Sequence, residues 1–580
     1  MLSTYQYQKF PYVQPPEIAD KRPGHYPVVV VGAGPVGLSA AIDLASQGHA
    51  VVVLDNDDTV SIGSRGVCYA KRALEVLDRM GCGEDFVDKG VSWNVGRTFF
   101  REDEVFNFNL RPQDDHNRPG MINLQQYYLE EYLLKRAREL PNLEIRFRNN
   151  VISVLQDEDK ATIRVETPDG PYSLTADWLI ACDGARSPIR TMLGLDIDGK
   201  IFMDRFLIAD VVMKAEYPAE RWFWFDPPFH RNQSVLLHRQ ADNVWRIDFQ
   251  LGWQADPEEE KKPENVIPRI RAMLGDEREF ELEWVSVYTF QCRRMGRFNH
   301  GRVLFAGDSA HQVSPFGARG ANSGIQDTDN LVWKLKLVLE GKAPASLLDS
   351  YSDERGYAAD ENILNSTRST DFITPKSKTS TTFRNAVLEL AGDYPFARAL
   401  VNSGRLSVPS YLTTSGLNTP DSDSFAGNMV PGAPMDDAPV ACATLQTSSG
   451  RTNGASHSEG AGNAPSSGGQ RPWLLQHCGN RFQLLHYIED ASALDAATAQ
   501  ALSALEQGSI PVEPLIIAQR GSAAAGLATL IDSKQRIRER YDLQPGTSYL
   551  LRPDQHVAAR WRQFDADKVR VALARATGNA

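Results

Sequence analysis

The chain has 580 residues, of which 42% are hydrophobic and 23% charged, a composition typical of a globular protein with a full core. Its net charge of −12, from 62 basic and 74 acidic residues, argues against nucleic acid as a partner. The six cysteines form no CxxC pair, and no His/Cys spacing typical of a metal site is present. We therefore expect reduced thiols, no bound metal and a cytoplasmic location.

The first 27 residues are rich in proline and tyrosine and carry neither an apolar core nor a cleavage pattern. We interpret them as an extended N-terminal arm rather than a signal peptide. The uncharged stretch 28–42 is too short and too glycine-rich to span a membrane, and Asp43 interrupts it. No stable membrane insertion is expected.

The sequence VVVVGAGPVG at 28–37 predicts a buried strand that ends in a glycine-rich turn. In such a turn Gly32 permits the tight bend, Gly34 lets a ligand approach the backbone, and Gly37 lets the next helix pack close to the sheet. This arrangement directs the N-terminus of a helix towards a phosphate.

The residues that follow complete a β-α-β unit. Residues 38–47 are predicted to form a helix and 50–54 a second strand, which ends at Asp55. A carboxylate 23 residues after Gly32 stands where such units hydrogen-bond a ribose. Strand, helix, strand and acid in register favour a dinucleotide site over a plain strand-turn-helix.

The middle of the chain is predicted to hold mainly strands. Residues 97–109 are expected to form two short paired strands, and 122–141 an amphipathic helix. From 201 to 290 the strands become rich in aromatic residues, which predicts a mostly antiparallel sheet inserted into the nucleotide-binding domain. Residues 291–403 return to that domain with a strand, a turn and helices.

A second turn, Asp183-Gly184, follows the predicted strand 178–182. A strand-end carboxylate beside a glycine can accept hydrogen bonds from ribose or ribityl hydroxyls. Arg186 and Arg190 can reach a phosphate. Taken alone, the same residues are equally compatible with a type I turn.

A third turn, Gly307-Asp308, follows the predicted strand 302–306 and leads through PFGARG at 315–320 into a helix that starts near Asn322. The backbone N–H groups of this turn and the helix dipole can stabilise negative charge on a bound ring.

Together the three motifs resemble the group A FAD-dependent aromatic hydroxylases, a family of flavoprotein monooxygenases. That family carries GxGxxG, then D-G-x-x-S-x-[VI]-R, then G-D-[AS]-A-H…P-x-G-x-x-G-x-N, and this chain matches each in order from residue 28 to about 395. WFWFDPPFH at 222–230 and SPFGARGANSGIQDTDNL at 314–331 look like the branch of 3-(3-hydroxyphenyl)propionate hydroxylase and phenol hydroxylase.

The resemblance implies an α/β and α+β fold: a Rossmann-like FAD-binding domain with an inserted mixed or antiparallel substrate-domain sheet, and a C-terminal thioredoxin-like domain lacking CxxC. The expected parts are an N-terminal arm (1–27), the FAD-binding domain (28–200 and 291–403), the substrate-binding sheet (201–290), a linker (404–429), and the C-terminal domain (430–580) with a disordered loop (447–470). In the last domain, strands are predicted at 481–488 and 511–518, with a hairpin at 548–561 that turns at Pro553-Asp554.

The resemblance also implies which residues hold FAD. They are Gly32, Gly34, Gly37, Asp55, Arg65, Gln126, Val151, Asp183, Gly307, Asp308, Pro315, Gly320 and Asn322. Arg65 would meet the pyrophosphate, Gln126 the ribityl chain or phosphate, and the main chain of Val151 the adenine. Asp308 would hold the ribityl hydroxyls, and Pro315 would lie beside the substrate. Asp55 stands where many relatives have glutamate, and its shorter side chain still accepts hydrogen bonds.

The implied reaction is hydroxylation of a small phenolic aromatic substrate with NADH or NADPH and O2, through a flavin hydroperoxide, in a protein expected to be a homodimer. No catalytic base is assigned. The candidates for contacting or deprotonating the phenol are His230, His238, Tyr288, Trp222, Trp224 and Pro315. The candidates for binding a substrate carboxylate, otherwise surface salt bridges, are Arg239, Arg246, Arg293 and Arg294.

Other functions match parts of the pattern. Ser309 and His311 suggest a hydrolase, but no GxSxG elbow accompanies them. The W-x-W-x-I-P run of flavin-dependent halogenases fails at Phe225-Asp226-Pro227. A hydroxylase of a non-phenolic ring (a polyketide or antibiotic), an oxygen-independent flavin reductase and a nucleotide-sensing protein without turnover stay open.

Overall fold

The computed structural model of the chain describes residues 3–111, 113–404, 406–443, 472–523 and 526–580. The predicted disordered loop, 447–470, lies outside the described residues. The chain divides into two compact units. Unit 1 comprises Met1–Pro112, Arg118–Val332 and Tyr351–Pro409, and unit 2 comprises Gln113–Asn117, Trp333–Ser350 and Ser410–Ala580. The predicted linker, 404–429, therefore contributes residues to both units.

Unit 1 contains most of the strands and helices. Its strands are β1 (Gly24–Val31), β2 (Val51–Leu54), β3 (Cys68–Ala70), β4 (Val91–Trp93), β5 (Val95–Phe100), β6 (Asp103–Asn109), β7 (Met121–Asn123), β8 (Leu143–Arg146), β9 (Asn150–Gln156), β10 (Ala161–Thr167), β11 (Gly170–Ala181), β12 (Asp198–Val212), β13 (Arg221–Phe225), β14 (Ser234–Arg239), β15 (Val244–Leu251), β16 (Glu281–Arg294), β17 (Asn299–His300), β18 (Val303–Phe305) and β19 (His311–Gln312). Its helices are α1 (Pro16–Asp20), α2 (Pro35–Ser46), α3 (Lys71–Arg79), α4 (Gly83–Lys89), α5 (Gln126–Arg138), α6 (Pro188–Met192), α7 (Pro257–Glu260), α8 (Pro263–Leu274), α9 (Gly320–Leu339, which continues into unit 2), α10 (Asp349–Ile373, which begins in unit 2), α11 (Lys378–Ala391) and α12 (Pro395–Arg398).

The first sheet of unit 1 confirms the predicted β-α-β unit. Its strand order is β17-β18-β11-β1-β2-β8, and β10 joins β11 to β9. Residues 28–30 of β1 are fully buried because sheet neighbours and helices cover both faces. The strand begins at Gly24, inside the predicted arm, because residues from Gly24 onward pair with β11.

The ends of four parallel strands bring the sequence motifs together. β1, β2, β11 and β18 run parallel as neighbours. Their carboxyl ends therefore lie at one edge of the sheet, and ligands of open α/β sheets bind at this edge. The residues that follow these ends are Gly32, Asp55, Asp183 and Gly307.

The second sheet of unit 1 is the predicted inserted sheet, and it is larger than expected. Its order is β19-β16-β12-β15-β14-β13-β5-β6. All its pairs are antiparallel except β13 with β5. The predicted hairpin of β5 and β6 joins this sheet because β5 pairs with β13. A small sheet, β3-β7-β4, lies in the same unit.

Unit 2 holds a separate sheet with a core on each face. Its strands are β20 (Ala441–Cys442), β21 (Phe482–Asp490), β22 (Val512–Arg520), β23 (Ala528–Ile531), β24 (Ser548–Leu551) and β25 (Val557–Trp561), and its helices are α13 (Ala496–Ala504), α14 (Arg536–Arg540) and α15 (Ala566–Ala576). The order is β20-β23-β22-β21-β24-β25. The predicted hairpin is confirmed as β24 and β25, whereas the thioredoxin-like assignment stays a prediction. Across the described part of the chain, each helix is too short or too polar to cross a membrane.

Candidate functional site

The glycine turn after β1 has one open position between two packed ones. A Cβ on Gly32 would lie 2.4 Å from the Cys182 carbonyl oxygen, and one on Gly37 would lie 1.9 Å from the Gly32 carbonyl oxygen. A Cβ on Gly34 would meet no atom within 4 Å. Gly32 and Gly37 are thus required by packing, and Gly34 leaves space in front of the N-terminus of α2.

Asp55 closes this turn from the end of β2. One carboxylate oxygen accepts a 2.5 Å hydrogen bond from the Ala33 N–H and the other a 2.8 Å bond from the Asp57 N–H. Burial raises the pKa of Asp55, which these two bonds oppose. The Asn149 N–H donates to the Asp55 carbonyl oxygen at 2.7 Å, which brings Val151, at the start of β9, to the same edge.

The segment 61–66, which carries Arg65, is fixed by helix α5. Gln126 accepts a hydrogen bond from the Gly66 N–H at 2.9 Å and donates to Glu130 at 2.8 Å. Glu130 accepts bonds from the Ser61 backbone N–H at 2.6 Å and from its hydroxyl at 2.8 Å. The Gln126 amide therefore holds the 61–66 segment, and its predicted contact with a cofactor stays a prediction.

The inserted sheet and the N-terminal arm fix the same segment from other sides. The Arg246 guanidinium donates to the Ser64 carbonyl and, at 2.7 Å, to its hydroxyl. Tyr7 accepts a bond from the Gly63 N–H at 2.9 Å. The Arg65 side chain stays exposed, and its positive charge acts on Tyr288. The segment thus presents Arg65 from a backbone held on three sides.

The Asp183 turn has features of both predicted roles, a tight turn and an acceptor for ribose or ribityl hydroxyls. One carboxylate oxygen accepts hydrogen bonds from the Ser187 hydroxyl at 2.8 Å and the Ile189 N–H at 2.9 Å, as in a tight turn that caps α6. The other oxygen is buried and has no hydrogen-bond partner among the described residues. Arg190 donates to the carbonyls of Ser309 and Ala185 at 2.7 and 3.0 Å, and its predicted contact with a phosphate stays a prediction.

The late motif places an accessible carboxylate beside a helix N-terminus. Asp308 is exposed, yet surrounding protein desolvates it enough to raise its pKa, as expected on the wall of a cleft. A Cβ on Gly320, the first residue of α9, would lie 3.9 Å from an Asp308 carboxylate oxygen. Pro315 is exposed in the turn between them. Asn322 binds the Ala70 N–H at 2.7 Å and the Cys68 carbonyl at 2.9 Å, so its amide joins α9 to β3.

The hydrolase interpretation does not fit the geometry. The Ser309 hydroxyl donates to the Ala181 carbonyl at 2.6 Å, inside the first sheet. His311 pairs with Asp327 at 2.6 Å, and Asp327 also pairs with Arg355 at 2.7 Å. The four polar side chains, Ser309, His311, Asp327 and Arg355, are buried and connect β11, β19, α9 and α10 rather than form a nucleophilic site.

Strand alternation divides the aromatic residues of the inserted sheet between two faces. Phe223 and Phe225 pack in one cluster with Phe316, next to Pro315, and we call this the inner face. Trp222 and Trp224 pack on the opposite, outer face, which α8 covers. The structure therefore does not bring Trp222 and Trp224 to Pro315. Trp224 instead lines an open cavity of about 530 Å³ on the outer face.

The two histidine candidates lie on opposite faces of the inserted sheet. His230 contacts Phe249 on the outer face and hydrogen-bonds the Gln250 carbonyl at 2.7 Å. His238 lies on the inner face, where its Nδ1 is 3.7 Å from the Cys68 sulfur. Tyr288 also packs against the inner-face cluster. Of these three candidates, His238 and Tyr288 thus share a face with Pro315.

A row of polar side chains crosses the inner face. Strand register sets Arg221 opposite His238, His238 opposite Arg246, and Arg246 opposite Asp210. Arg246 and Asp210 form a buried two-point ion pair at 2.9 and 3.0 Å. Asp248 follows on β15, with one buried oxygen that has no hydrogen-bond partner among the described residues.

His238 and Asp248 are two titratable members of this inner face with unsatisfied atoms, and the hydroxyl of Ser234, on the same face of β14, is a third unsatisfied group. The Nε2 atom of His238 has no hydrogen-bond partner within the described chain. Burial, together with nearby Arg246 and Arg221, lowers the pKa of His238 well below its usual range, so its ring is neutral at pH 7. Burial raises the pKa of Asp248 to about 7. Near neutral pH His238 can therefore accept a hydrogen bond from a ligand, and Asp248 can accept a hydrogen bond or a proton.

The four arginines predicted to bind a carboxylate already have partners. Arg294 pairs with Asp360 at 2.5 Å, and Arg293 donates to the Ile197 carbonyl at 2.7 Å. Arg239 donates to Asn243 at 3.1 Å, and Arg246 pairs with Asp210.

Sequence reasoning missed Arg221 and Asp248. Alternation in NVWRIDFQL, which puts Arg246 and Asp248 on one face and apolar residues on the other, is the signal that could have found Asp248.

Comparison with known proteins agrees with this geometry. Residues 25–366 match the family of the FAD binding domain. A 3-(3-hydroxy-phenyl)propionate/3-hydroxycinnamic acid hydroxylase of Mycolicibacterium smegmatis is 28% identical over 398 residues, which cover 67% of this chain and 69% of the relative. The p-nitrophenol 4-monooxygenase PnpA from Pseudomonas putida DLL-E4 is 27% identical with a TM-score of 0.58, over 65% of this chain and 96% of PnpA.

A further solved structure shares the fold along nearly the whole chain. The flavin-dependent monooxygenase PieE, in complex with FAD and substrate, is 22% identical with a TM-score of 0.76, over 96% of this chain and 99% of PieE. The fold and the strand-end turns define a flavoprotein of the aromatic hydroxylase type. The chain belongs to the family of the FAD binding domain, which confirms FAD as its predicted cofactor.

The residues at the sheet edge fit this cofactor. Gly34 leaves open space at the N-terminus of α2, where a pyrophosphate binds. The unpartnered oxygen of Asp183 and the accessible carboxylate of Asp308 can accept bonds from ribityl or ribose hydroxyls. Gly34 and these two acceptors follow three strand ends of one sheet.

Proposed function

We propose that this protein is an FAD-dependent monooxygenase that hydroxylates the phenolic ring of a small aromatic substrate, with NADH or NADPH and O2 as co-substrates. The observation that carries the proposal is the inner face of the inserted sheet, where His238 and Asp248 have unpartnered polar atoms. Buried polar atoms without partners cost about 1–3 kcal/mol each, and a polar ligand would remove this cost. The names of the similar hydroxylases support the same reaction class.

In this proposal FAD supplies the redox chemistry, since it accepts hydride from NAD(P)H and activates O2. The protein would hold FAD through Gly34, Asp183 and Asp308, with Arg65 reaching its pyrophosphate. The remaining work falls to side chains of the inner face. They would bind and orient the phenol, keep water away and polarise its O–H bond.

The phenol would lie between the inner face and the turn at Pro315. Its hydroxyl would donate to Nε2 of His238, which is neutral and therefore able to accept. This hydrogen bond draws the phenol proton away from its oxygen, which makes the ring more electron-rich and more reactive towards an electrophilic oxygen. The pKa of His238 is low, so the proton is shared rather than transferred, and the positive charge of Arg246 favours the negative charge that develops on the phenol oxygen.

Water exclusion would fall to the aromatic side chains of the same face. Phe206, Phe290 and Phe316 form one contact cluster, with ring centroids 4.9 to 5.4 Å apart. All three are buried. A closely packed apolar wall of this kind protects reactive species from water.

The test is steady-state oxidation of NADH and of NADPH with O2 uptake, on FAD-loaded protein, across a panel of phenols. We expect one class of phenol to accelerate both rates and to yield a product heavier by one oxygen atom. Acceleration by a non-phenolic ring alone would replace the phenol in the proposal. Oxidation of NAD(P)H without O2 uptake would favour a flavin reductase instead. The homodimer and the cytoplasmic location stay predictions.

A further inference from the structure

Arg221 is a buried cation without a carboxylate partner. It is the first residue of β13 and is 4% exposed. Its Nη2 donates to the Ser403 carbonyl at 3.0 Å, and no ion pair to it is formed within the described residues. Buried guanidinium groups are normally paired, as Arg246 is with Asp210 in the same row.

Asp248, the inner-face carboxylate with an unpartnered oxygen, does not form an ion pair with Arg221. Asp248 lies on β15, two strands from Arg221, and the register sets it opposite Leu236 rather than His238. The two charges attract each other but do not reach ion-pair distance. Burial accordingly lowers the pKa of Arg221 to about 10, and the group stays charged at pH 7. An anion from outside the chain would compensate it.

A second donor faces the same small space. A Cβ built on Gly404 would lie 3.4 Å from Nη2 of Arg221 and 3.3 Å from the backbone nitrogen of Gly317. Gly404 has φ of +107°, a conformation that favours glycine, so this space is kept clear of a side chain. Gly317 follows Pro315 by two residues, so the space adjoins the turn where the proposed phenol lies. Phe223, on the next inner-face position of β13, supplies an apolar wall.

We propose that Arg221 binds the carboxylate of an acidic phenolic substrate, and this inference rests on the proposed function. A planar guanidinium matches the two oxygens of a carboxylate. The backbone N–H of Gly317 would donate a further hydrogen bond to the carboxylate. The aromatic ring of the substrate would extend towards His238, which lies opposite Arg221 on the neighbouring strand. The structure therefore assigns substrate selection to a residue outside the four arginines that the sequence suggested.

The experiment compares binding of acidic phenols and their uncharged amides to FAD-loaded protein. The probes are 3-hydroxybenzoate, 3-hydroxyphenylacetate and 3-(3-hydroxyphenyl)propionate, each with its primary amide, titrated by the change in flavin absorbance. We expect the best acid to bind at least about tenfold more tightly than its amide, as one charge-assisted contact provides. In Arg221→Gln that preference should vanish, while the Kd of the amide and the KM of NADPH stay unchanged.

Two further variants keep the test decisive. Arg294→Gln removes a guanidinium from a surface ion pair and should leave the preference intact. Arg221→Lys keeps the charge without the planar fork, and should retain an intermediate preference even if Arg221→Gln does not fold.

Three outcomes would overturn the inference. They are equal loss of acid and amide binding in Arg221→Gln, no preference for acids in the wild type, and a change confined to the KM of NADPH, which would assign the guanidinium to a cofactor phosphate. Hydroxylation of neutral phenols without any preference for acids would leave the proposed function standing. If no phenol, acidic or neutral, binds or reacts, the proposed function itself fails.

Discussion

At the scale of single residues, the site consists of polar atoms that the protein leaves without partners. Asp183 has one such oxygen at the cofactor edge, and His238 and Asp248 each have one such atom on the inner face. Arg221 has a single hydrogen bond and no counter-ion within the described residues. Native proteins satisfy most buried polar groups, so unpartnered atoms at the cofactor edge and on the inner face are candidates for contact with a ligand.

His238 gives the first prediction at this scale. His238→Asn should lower kcat by about 10²-fold for phenols that are un-ionised at the assay pH, because the imidazole that draws the phenol proton is lost. Phenols already ionised at that pH should react at nearly the wild-type rate. His230→Asn, the same substitution on the outer face, is the control. An equal loss across all phenols would mean that His238 has only a structural role.

Asp248 gives a prediction about pH and stability. Its pKa is raised to about 7 in the folded protein, against about 3.9 in an unfolded chain. The folded state therefore disfavours the charged carboxylate, and wild-type stability falls as pH rises from about 4 to about 7. Asp248→Asn removes this cost and leaves the neighbouring charges of Arg246, Asp210 and Arg221 and the neutral ring of His238 in place.

The stabilisation of Asp248→Asn relative to the wild type should thus be larger at pH 8 than at pH 5. At about 1.4 kcal/mol per pKa unit, the upper bound on this difference is roughly 3 kcal/mol. Thermal unfolding of both proteins at the two pH values measures it. A difference in Tm that does not change with pH would contradict the assignment of this carboxyl as buried and uncompensated.

At the scale of elements, the site depends on the close contact between β1, α2 and β11. Gly32 and Gly37 let these elements approach each other, whereas a Cβ on Gly34 would meet no protein atom within 4 Å. The same short turn thus contains positions required by the fold and one position required by the cofactor.

Two alanine variants separate these requirements. Gly37→Ala puts a Cβ 1.9 Å from the Gly32 carbonyl oxygen and should destabilise the fold, seen as a lower Tm without FAD. Gly34→Ala should keep the Tm of the FAD-free protein, because its Cβ meets open space, and should weaken FAD binding at least about tenfold, measured by fluorescence titration. Unchanged FAD affinity in Gly34→Ala would place the pyrophosphate elsewhere.

The sequence predicts the cofactor edge better than the substrate face, for a physical reason. Each strand-end turn is local, so consecutive residues such as Gly32 to Gly37 contain the whole signal. The faces of the inserted sheet are set by alternation, and a run of four aromatics, Trp222 to Phe225, has no polar residue to mark its inner side. The role of Gln126 depends on where α5 packs, which local sequence does not determine.

At the scale of the whole molecule, all the proposed cofactor and substrate residues lie in unit 1, although they come from segments as distant as 32–37 and 403–404. Unit 2 has its own sheet and core and none of the three motifs. The division predicts that FAD stabilises one unit directly.

Hydrogen exchange read by mass spectrometry tests this division. Adding FAD should slow exchange in peptides that cover 32–37, 61–66 and 307–322, because local opening becomes more costly when a ligand is bound. Peptides from β21, β22 and β24 should exchange at the same rate with and without FAD. Slower exchange confined to unit 2 would contradict the location of the cofactor site.

The most direct test of the central claim is the fate of oxygen atoms from ¹⁸O2. FAD-loaded protein, NADH or NADPH and the phenol that best stimulates oxidation would be incubated under ¹⁸O2, and the product mass measured. The account predicts one ¹⁸O atom per hydroxylated product, and a reduced yield in His238→Asn with an un-ionised phenol. Incorporation of oxygen from water, or oxidation of NAD(P)H with no labelled product from any aromatic compound, would contradict it.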